Sequence, residues 1–122
     1  MKYLLDTSIF LWFLDADKRL SSEFREIIEN DDNIKFISVA SVWEIVIKVS
    51  LGKLPGLKVS AKEILKQLNF QTLDIELSHV LEVTNLPKIH KDPFDRIIIS
   101  QAKVEGLILL TSDKKVMKYF GK

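Results

Sequence analysis

A chain of 122 residues with 47% hydrophobic side chains can build one core and gives no reason to expect a second domain, so residues 1–122 are read as a single unit. The formal net charge of +1 excludes a bulk electrostatic attraction to nucleic acid, and any polyanion binding has to come from local pattern. With no cysteine, disulfides, thiolate metal sites and cysteine nucleophiles are excluded as well.

The apolar stretch from Met1 to Leu14 is interrupted by Asp6, carries no small-residue cleavage site and ends in the charged segment Asp15 to Arg19. It is therefore read neither as a signal peptide nor as a membrane anchor, and the expected setting is cytoplasmic. Lys2 to Leu5 reads as a short buried strand, and Asp6-Thr7-Ser8 can cap a helix running to Leu14. Ser21 or Ser22 opens a helix to about Asn30, which Asn30-Asp31-Asp32-Asn33 closes, and Lys35 to Ser38 is the second strand. Ser38 then caps a helix from Val39 to about Leu51 that is apolar nearly all round, with Glu44 as its only acid.

Gly52 stops that helix, Leu54-Pro55-Gly56 makes a turn, and Ser60-Ala61-Lys62-Glu63 is a capping box for a helix to about Leu68. Phe70 to Leu73 is expected as a third strand, Glu76 to Leu86 as a helix, and Pro87 to Pro93 as a polar loop. Phe94 to Glu105 has helical spacing, Leu107 to Leu110 reads as a buried strand, and Thr111-Ser112-Asp113 leads into a short terminal helix. Strands alternating with helices imply an α/β fold with a parallel sheet.

On that order of elements, Asp6, Glu44, Asp95 and Asp113 each interrupt or end an apolar stretch. Buried carboxylates are costly unless paired, and a shared cation removes the cost. Asp6 and Asp113 fall at the carboxyl ends of strands, where open α/β sheets bind ligands, and Asp95 and Glu44 sit early in helices that can face the same edge. An all-oxygen set suits Mg²⁺ or Mn²⁺, and the reaction class this implies is phosphodiester hydrolysis. Each acid also has an ordinary structural explanation. Asp6 can cap a helix, Glu44 can pair with Lys48 four residues on, Asp95 can serve the helix macrodipole behind Asp92 as cap, and Asp113 can form a turn.

The chain resembles the PIN-domain ribonucleases, specifically the VapC-like toxins of type II toxin–antitoxin pairs. The resemblance rests on Leu4-Leu5-Asp6-Thr7-Ser8, on Ser41-Val42-Trp43-Glu44-Ile45 followed by Lys48 and Leu51-Gly52-Lys53-Leu54, on His90-Lys91-Asp92-Pro93-Phe94-Asp95-Arg96, and on Leu110-Thr111-Ser112-Asp113. It implies a three-layer α/β/α sandwich around a mainly parallel sheet of four to five strands. It also implies an endoribonuclease that uses Mg²⁺ or Mn²⁺ held by Asp6, Glu44, Asp95 and Asp113, with Asp6 and Asp95 as direct ligands. Glu44 and Asp113 would act through water or at a second ion. Thr7 or Ser8 would fix the Asp6 carboxylate or a water.

Asp92 is an ambiguous fifth acid best explained as a cap, and Arg96 is a candidate for contacting phosphate or orienting a carboxylate, with an ordinary ion pair as its alternative. His90 is a weaker candidate still, since nothing else around it suggests a general base and carboxylate–metal chemistry does not require one. Lys48, Lys53, Lys88, Lys91, Arg96, Lys114 and Lys115 could line a path for RNA. The implied partners are a structured RNA such as tRNA or rRNA, a cognate antitoxin and a second copy of the chain. Trp12, Phe13 and Trp43 supply apolar surface for such contacts unless the core takes them. Two competing readings are weaker on the residues. An Asp6-nucleophile phosphatase lacks a second acid two residues on, and a PIN-like module that binds without cleaving would have no use for four clustered acids.

Overall fold

The computed structural model describes residues 1–54, 66 and 69–121. Its sheet is made of β1 (Lys2–Leu5), β2 (Ile34–Ser38), β3 (Gln71–Leu73) and β4 (Ile108–Leu110) in the order β3-β2-β1-β4, all parallel. Central β1 pairs Leu4 with Phe36 on one side and with Leu109 on the other. The described helices are α1 (Thr7–Leu14), α2 (Ser22–Glu29), α3 (Val39–Ser50), α4 (Leu77–Glu82), α5 (Pro93–Glu105) and α6 (Lys114–Lys118).

A parallel sheet has to be covered on both faces, and the alternation of side chains along β1 divides the core accordingly. Tyr3 and Leu5 join Ile9 and Phe10 of α1, Ile28 of α2 and Ile37 of β2 in one cluster. Leu4 points the other way, into a cluster with Ile98 and Ala102 of α5 and with Leu107. The result is the expected three-layer α/β/α arrangement, with the sheet at four strands among the described residues. Helix α3 touches both α1 and α5, so it links the two helical layers.

Several boundaries differ from the sequence reading for identifiable reasons. Phe70 precedes β3 instead of starting it, because its ring packs edge-on against Phe10 and Phe13 at centroid distances of 5.6 and 6.2 Å. Leu107 likewise leaves β4 to join the core, with Gly106 as the left-handed C-cap of α5 at φ 65°. The single helix expected from Glu76 to Leu86 is α4 followed by a tighter 3-10 turn at Val83–Asn85, where Thr84 Oγ1 donates to the Leu81 carbonyl. The turn at Pro55-Gly56 and the helix expected from Ser60 to about Leu68 lie outside the described residues, Lys66 apart.

The chain runs outward from β1 to β2 and β3, then returns to β4 on the opposite side of β1. That reversal opens a crevice beyond the carboxyl ends of β1 and β4, where a doubly wound sheet receives its ligand.

Candidate active site

Asp6 follows β1 directly and is both cap and site residue. Its Oδ1 accepts the Ile9 N–H at 2.8 Å, starting α1, and its own N–H donates to the Leu110 carbonyl at 3.1 Å, drawing the ends of β1 and β4 together. The residue is 7% exposed. Burial pushes its carboxyl up to about 6, against the hydroxyl of Thr111 and the Ile9 N–H, which favour the charged form, and with Asp113 and Glu44 adding repulsion.

Glu44 lies on α3 at a depth unusual for a charge, and the first turn of that helix is fastened on both sides. Ser38 caps it by accepting the Ala40 N–H at 3.0 Å while donating Oγ–H to Gln101 Oε1 of α5 at 2.6 Å. Thr7 of α1 donates to Ser41 Oγ at 2.9 Å. The expected pairing with Lys48 is present at 3.1 Å, yet it uses only Oε2. Glu44 Oε1 is buried with no hydrogen-bond partner among the described residues. A carboxylate oxygen left without a donor is expensive, so the ion pair does not account for this residue.

Asp95 sits in the first turn of α5, and Asp92 is the cap, its Oδ1 accepting the N–H groups of Phe94 at 2.8 Å and Asp95 at 3.1 Å. Desolvation pushes the Asp95 carboxyl up to about 6, with repulsion from Asp92, Glu44 and Asp6 acting in the same direction and His90 opposing. Asp113 caps α6 through Oδ1, which accepts the Lys115 and Val116 N–H groups at 2.8 and 3.4 Å. Its partial desolvation is outweighed by those N–H groups and by His90, which hold the carboxyl below its ordinary range.

The four acids found by sequence are thus close enough to perturb one another at the crevice. The accessory residues fare differently. Thr111, which the sequence reading passed over, has its hydroxyl near enough to favour the charged form of Asp6, whereas the Thr7 hydroxyl is engaged by Ser41 and Ser8 is exposed. Among the described residues Arg96 pairs with no acid. Its Nη1 donates to the carbonyls of Pro87 and His90 at 3.1 and 3.3 Å, and its Nη2 to that of Val83 at 3.2 Å, so it holds the loop ahead of α5. His90, the weaker candidate on sequence, has Nε2 at 3.1 Å from Asp95 Oδ2 and 3.3 Å from Asp113 Oδ2. No sequence spacing could have joined it to Asp113, 23 residues away.

Acids close enough to raise one another's carboxyls, one of them with a buried oxygen that has no donor among the described residues, suit a hard divalent cation. Donor atoms of His90, Asp95 and Asp113 lie within 4.8 Å of one another, and so do those of Glu76, His79 and Glu105, whose chemistry is different. His79 Nδ1 accepts the Glu76 N–H at 3.0 Å, so the proton of the neutral ring is on Nε2, which lies 3.5 Å from Glu105 Oε1 without a hydrogen-bond partner among the described residues and offers no lone pair to a metal.

Curated protein sequences offer no match to this chain. Among solved structures, VapBC2 from Rickettsia felis bound to a promoter DNA fragment is similar in fold, with a TM-score of 0.66, 19% identity, and coverage of 98% of this chain and 93% of that one. FitAB bound to an IR36 DNA fragment is similar with a TM-score of 0.63, 17% identity, and coverage of 96% and 89%. The family described as PIN domain matches residues 3–121, a span that takes in the sheet from Tyr3 onward and all four acids. A parallel β3-β2-β1-β4 sheet with carboxylates gathered at the β1/β4 crevice is what that match covers, and the chain belongs to the PIN domain family.

Proposed function

We propose that this protein is an Mg²⁺- or Mn²⁺-dependent endoribonuclease acting as the toxin of a type II toxin–antitoxin pair. The observation that carries the reading is the convergence of Asp6, Glu44, Asp95 and Asp113 at one sheet edge, with Glu44 Oε1 buried and unpartnered. When bound, a divalent cation supplies water activation and charge neutralisation at a phosphodiester. Asp6 and Asp95 hold it directly, because their raised affinity for protons is the mark of carboxylates lacking a countercharge. Glu44 offers Oε1 from below. Asp113, with Oδ1 engaged by two backbone N–H groups and Oδ2 by His90, contributes charge from outside the contact shell.

Lys53, Lys88, Lys91, Lys114 and Lys115 are exposed and remain candidates to steer an RNA, while Lys48 and Arg96 are occupied within the chain. With so small a net charge, selectivity among tRNA or rRNA targets rests on RNA shape, and binding weakens steeply with salt.

The partner reading draws on both similar structures, whose names are those of two-component complexes, and on exposed apolar surface. Trp12 and Phe13 pack against the core, but Val39, Trp43 and Val46 form an exposed stripe on α3, with Trp43 58% exposed and edge-on to Phe94 beside the acids. Leu77, Val80 and Leu81 form another on α4. Two such stripes supply surfaces for an antitoxin and for a second copy of the chain. No helix among the described residues is long and apolar enough to cross a membrane, and a cytoplasmic setting accords with the proposal.

The test is cleavage of structured RNA by purified protein with Mg²⁺, with and without EDTA, beside Asp6→Asn. Loss of cleavage in both controls is expected. A parent that binds RNA with no cleavage under any metal would instead favour a PIN-like binding module.

A further inference from the structure

We infer that His90 is a positioning residue of the proposed metal centre, its Nε2–H donating to the Asp113 carboxylate and facing that of Asp95, so that the Asp95 carboxylate is held ready for the cation. The inference rests on the reading of those acids as a metal site. Three donor atoms of His90, Asp95 and Asp113 lie within 4.8 Å of one another, an arrangement that by itself resembles a His-Asp-Asp ligand set. The other side of the ring excludes this. His90 Nδ1 is 3.0 Å from the Asp92 backbone nitrogen, which can only donate, so Nδ1 carries the lone pair and Nε2 carries the proton. A protonated Nε2 is a donor to carboxylates and has no lone pair for a metal.

The backbone that carries the ring is fixed at its N–H and at its carbonyl, with Ile89 held beside it. Tyr119 Oη accepts the Ile89 and His90 N–H groups at 3.1 and 2.8 Å and donates to the Pro87 carbonyl at 2.7 Å. Arg96 Nη1 donates to the His90 carbonyl at 3.3 Å. The imidazole side chain is 16% exposed, so its two hydrogen bonds are shielded from competing water.

The contact pairs Nε2–H with Asp113 Oδ2 and places it 3.1 Å from Asp95 Oδ2, whose charged form it favours. It also joins the loop before α5 to the N-terminus of α6, fixing the separation of two carboxylates that would otherwise repel. Hydrogen bonds of this kind orient ligating side chains, and their loss typically weakens metal binding about 10- to 100-fold.

Calorimetric titration with Mn²⁺ of the parent, His90→Ala, His90→Gln and Asp95→Asn tests the assignment, because glutamine restores an N–H donor without an imidazole. The expected order is tight binding by the parent, no binding by Asp95→Asn, affinity lowered about 10- to 100-fold in His90→Ala, and substantial recovery in His90→Gln. Parent-like affinity in His90→Ala, with Asp95→Asn inactive in binding, would overturn the positioning role and leave the metal site standing. Absence of Mn²⁺ binding by the parent would overturn both. Nitrogen-15 imidazole spectra of the parent during a Mg²⁺ titration give an independent readout that does not depend on how the variants fold. The Nε2–H tautomer should persist through saturation, and transfer of the proton to Nδ1 would make His90 a direct ligand and refute the inference.

Discussion

Replacing Asp6 by Asn should stabilise the metal-free protein at neutral pH, although the same change removes its proposed function. The Asp6 carboxyl is raised from 3.8 to about 6, chiefly by burial. Above that value the folded state holds a charge it disfavours, whereas the unfolded chain ionises freely. At 1.36 kcal/mol per pH unit, a rise of roughly two units corresponds to about 3 kcal/mol of lost stability. Because the folded state binds the proton more tightly, stability falls as pH rises from about 4 to about 6 and levels off above, the reverse of a salt-bridged acid.

Asparagine keeps the Oδ1 acceptor for the Ile9 N–H and the shape of the side chain, but loses the charge that this N–H and the Thr111 hydroxyl favour. A net gain of about 1–2 kcal/mol, or roughly 4–8 °C in Tm for a domain of this size, is therefore expected at pH 7.5. Thermal melts in EDTA at pH 4, 5, 6 and 7.5 measure it, with the two proteins converging at pH 4. Saturating Mn²⁺ should then raise the parent and leave the variant unmoved, reversing their order. A variant that melts below the parent in EDTA at pH 7.5, or an offset that does not change with pH, would refute the claim that Asp6 is an uncompensated buried charge.

Metal affinity should itself depend on pH: with Asp6 and Asp95 both raised to about 6, protons compete with the cation, and calorimetric affinity should decline as pH is lowered through 6. Lys48→Met takes the ammonium from Glu44 Oε2 while Oε1 already has no donor among the described residues, so a loss of about 1–3 kcal/mol is expected in chemical denaturation without metal. Ser38→Ala removes the α3 cap and strips the buried Gln101 Oε1 of its donor, so a loss of about 2–3 kcal/mol is expected by urea denaturation. Trp43→Asp should leave the melting temperature nearly unchanged while abolishing capture of the proposed antitoxin, read by pull-down with purified candidate antitoxins.

Local pattern made most of this fold legible. Leu4 and Leu5 before Asp6, Ile37 before Ser38, and Leu110 before Thr111 each announce a buried strand, and the caps at Asp6, Ser21, Ser38 and Asp113 start the helices expected of them. The four acids were legible for a related reason, since a charge inside an apolar run stands out. What the sequence concealed depends on contacts between distant segments. Thr111 matters because β4 lies beside β1, and His90 because the loop before α5 folds back over the cap of α6. Arg96 was misread because backbone carbonyls, which give no signature in sequence, took its donors before any phosphate or carboxylate could. Trp43 is exposed despite its size, since apolar character permits burial without requiring it.

A crystal structure of the protein soaked in Mn²⁺, with anomalous differences recorded, addresses the central claim most directly. The account predicts a peak among Asp6, Glu44 and Asp95, absent in Asp95→Asn crystals. A peak confined to Glu76, His79 and Glu105, or no peak at the β1/β4 crevice at millimolar Mn²⁺, would contradict it.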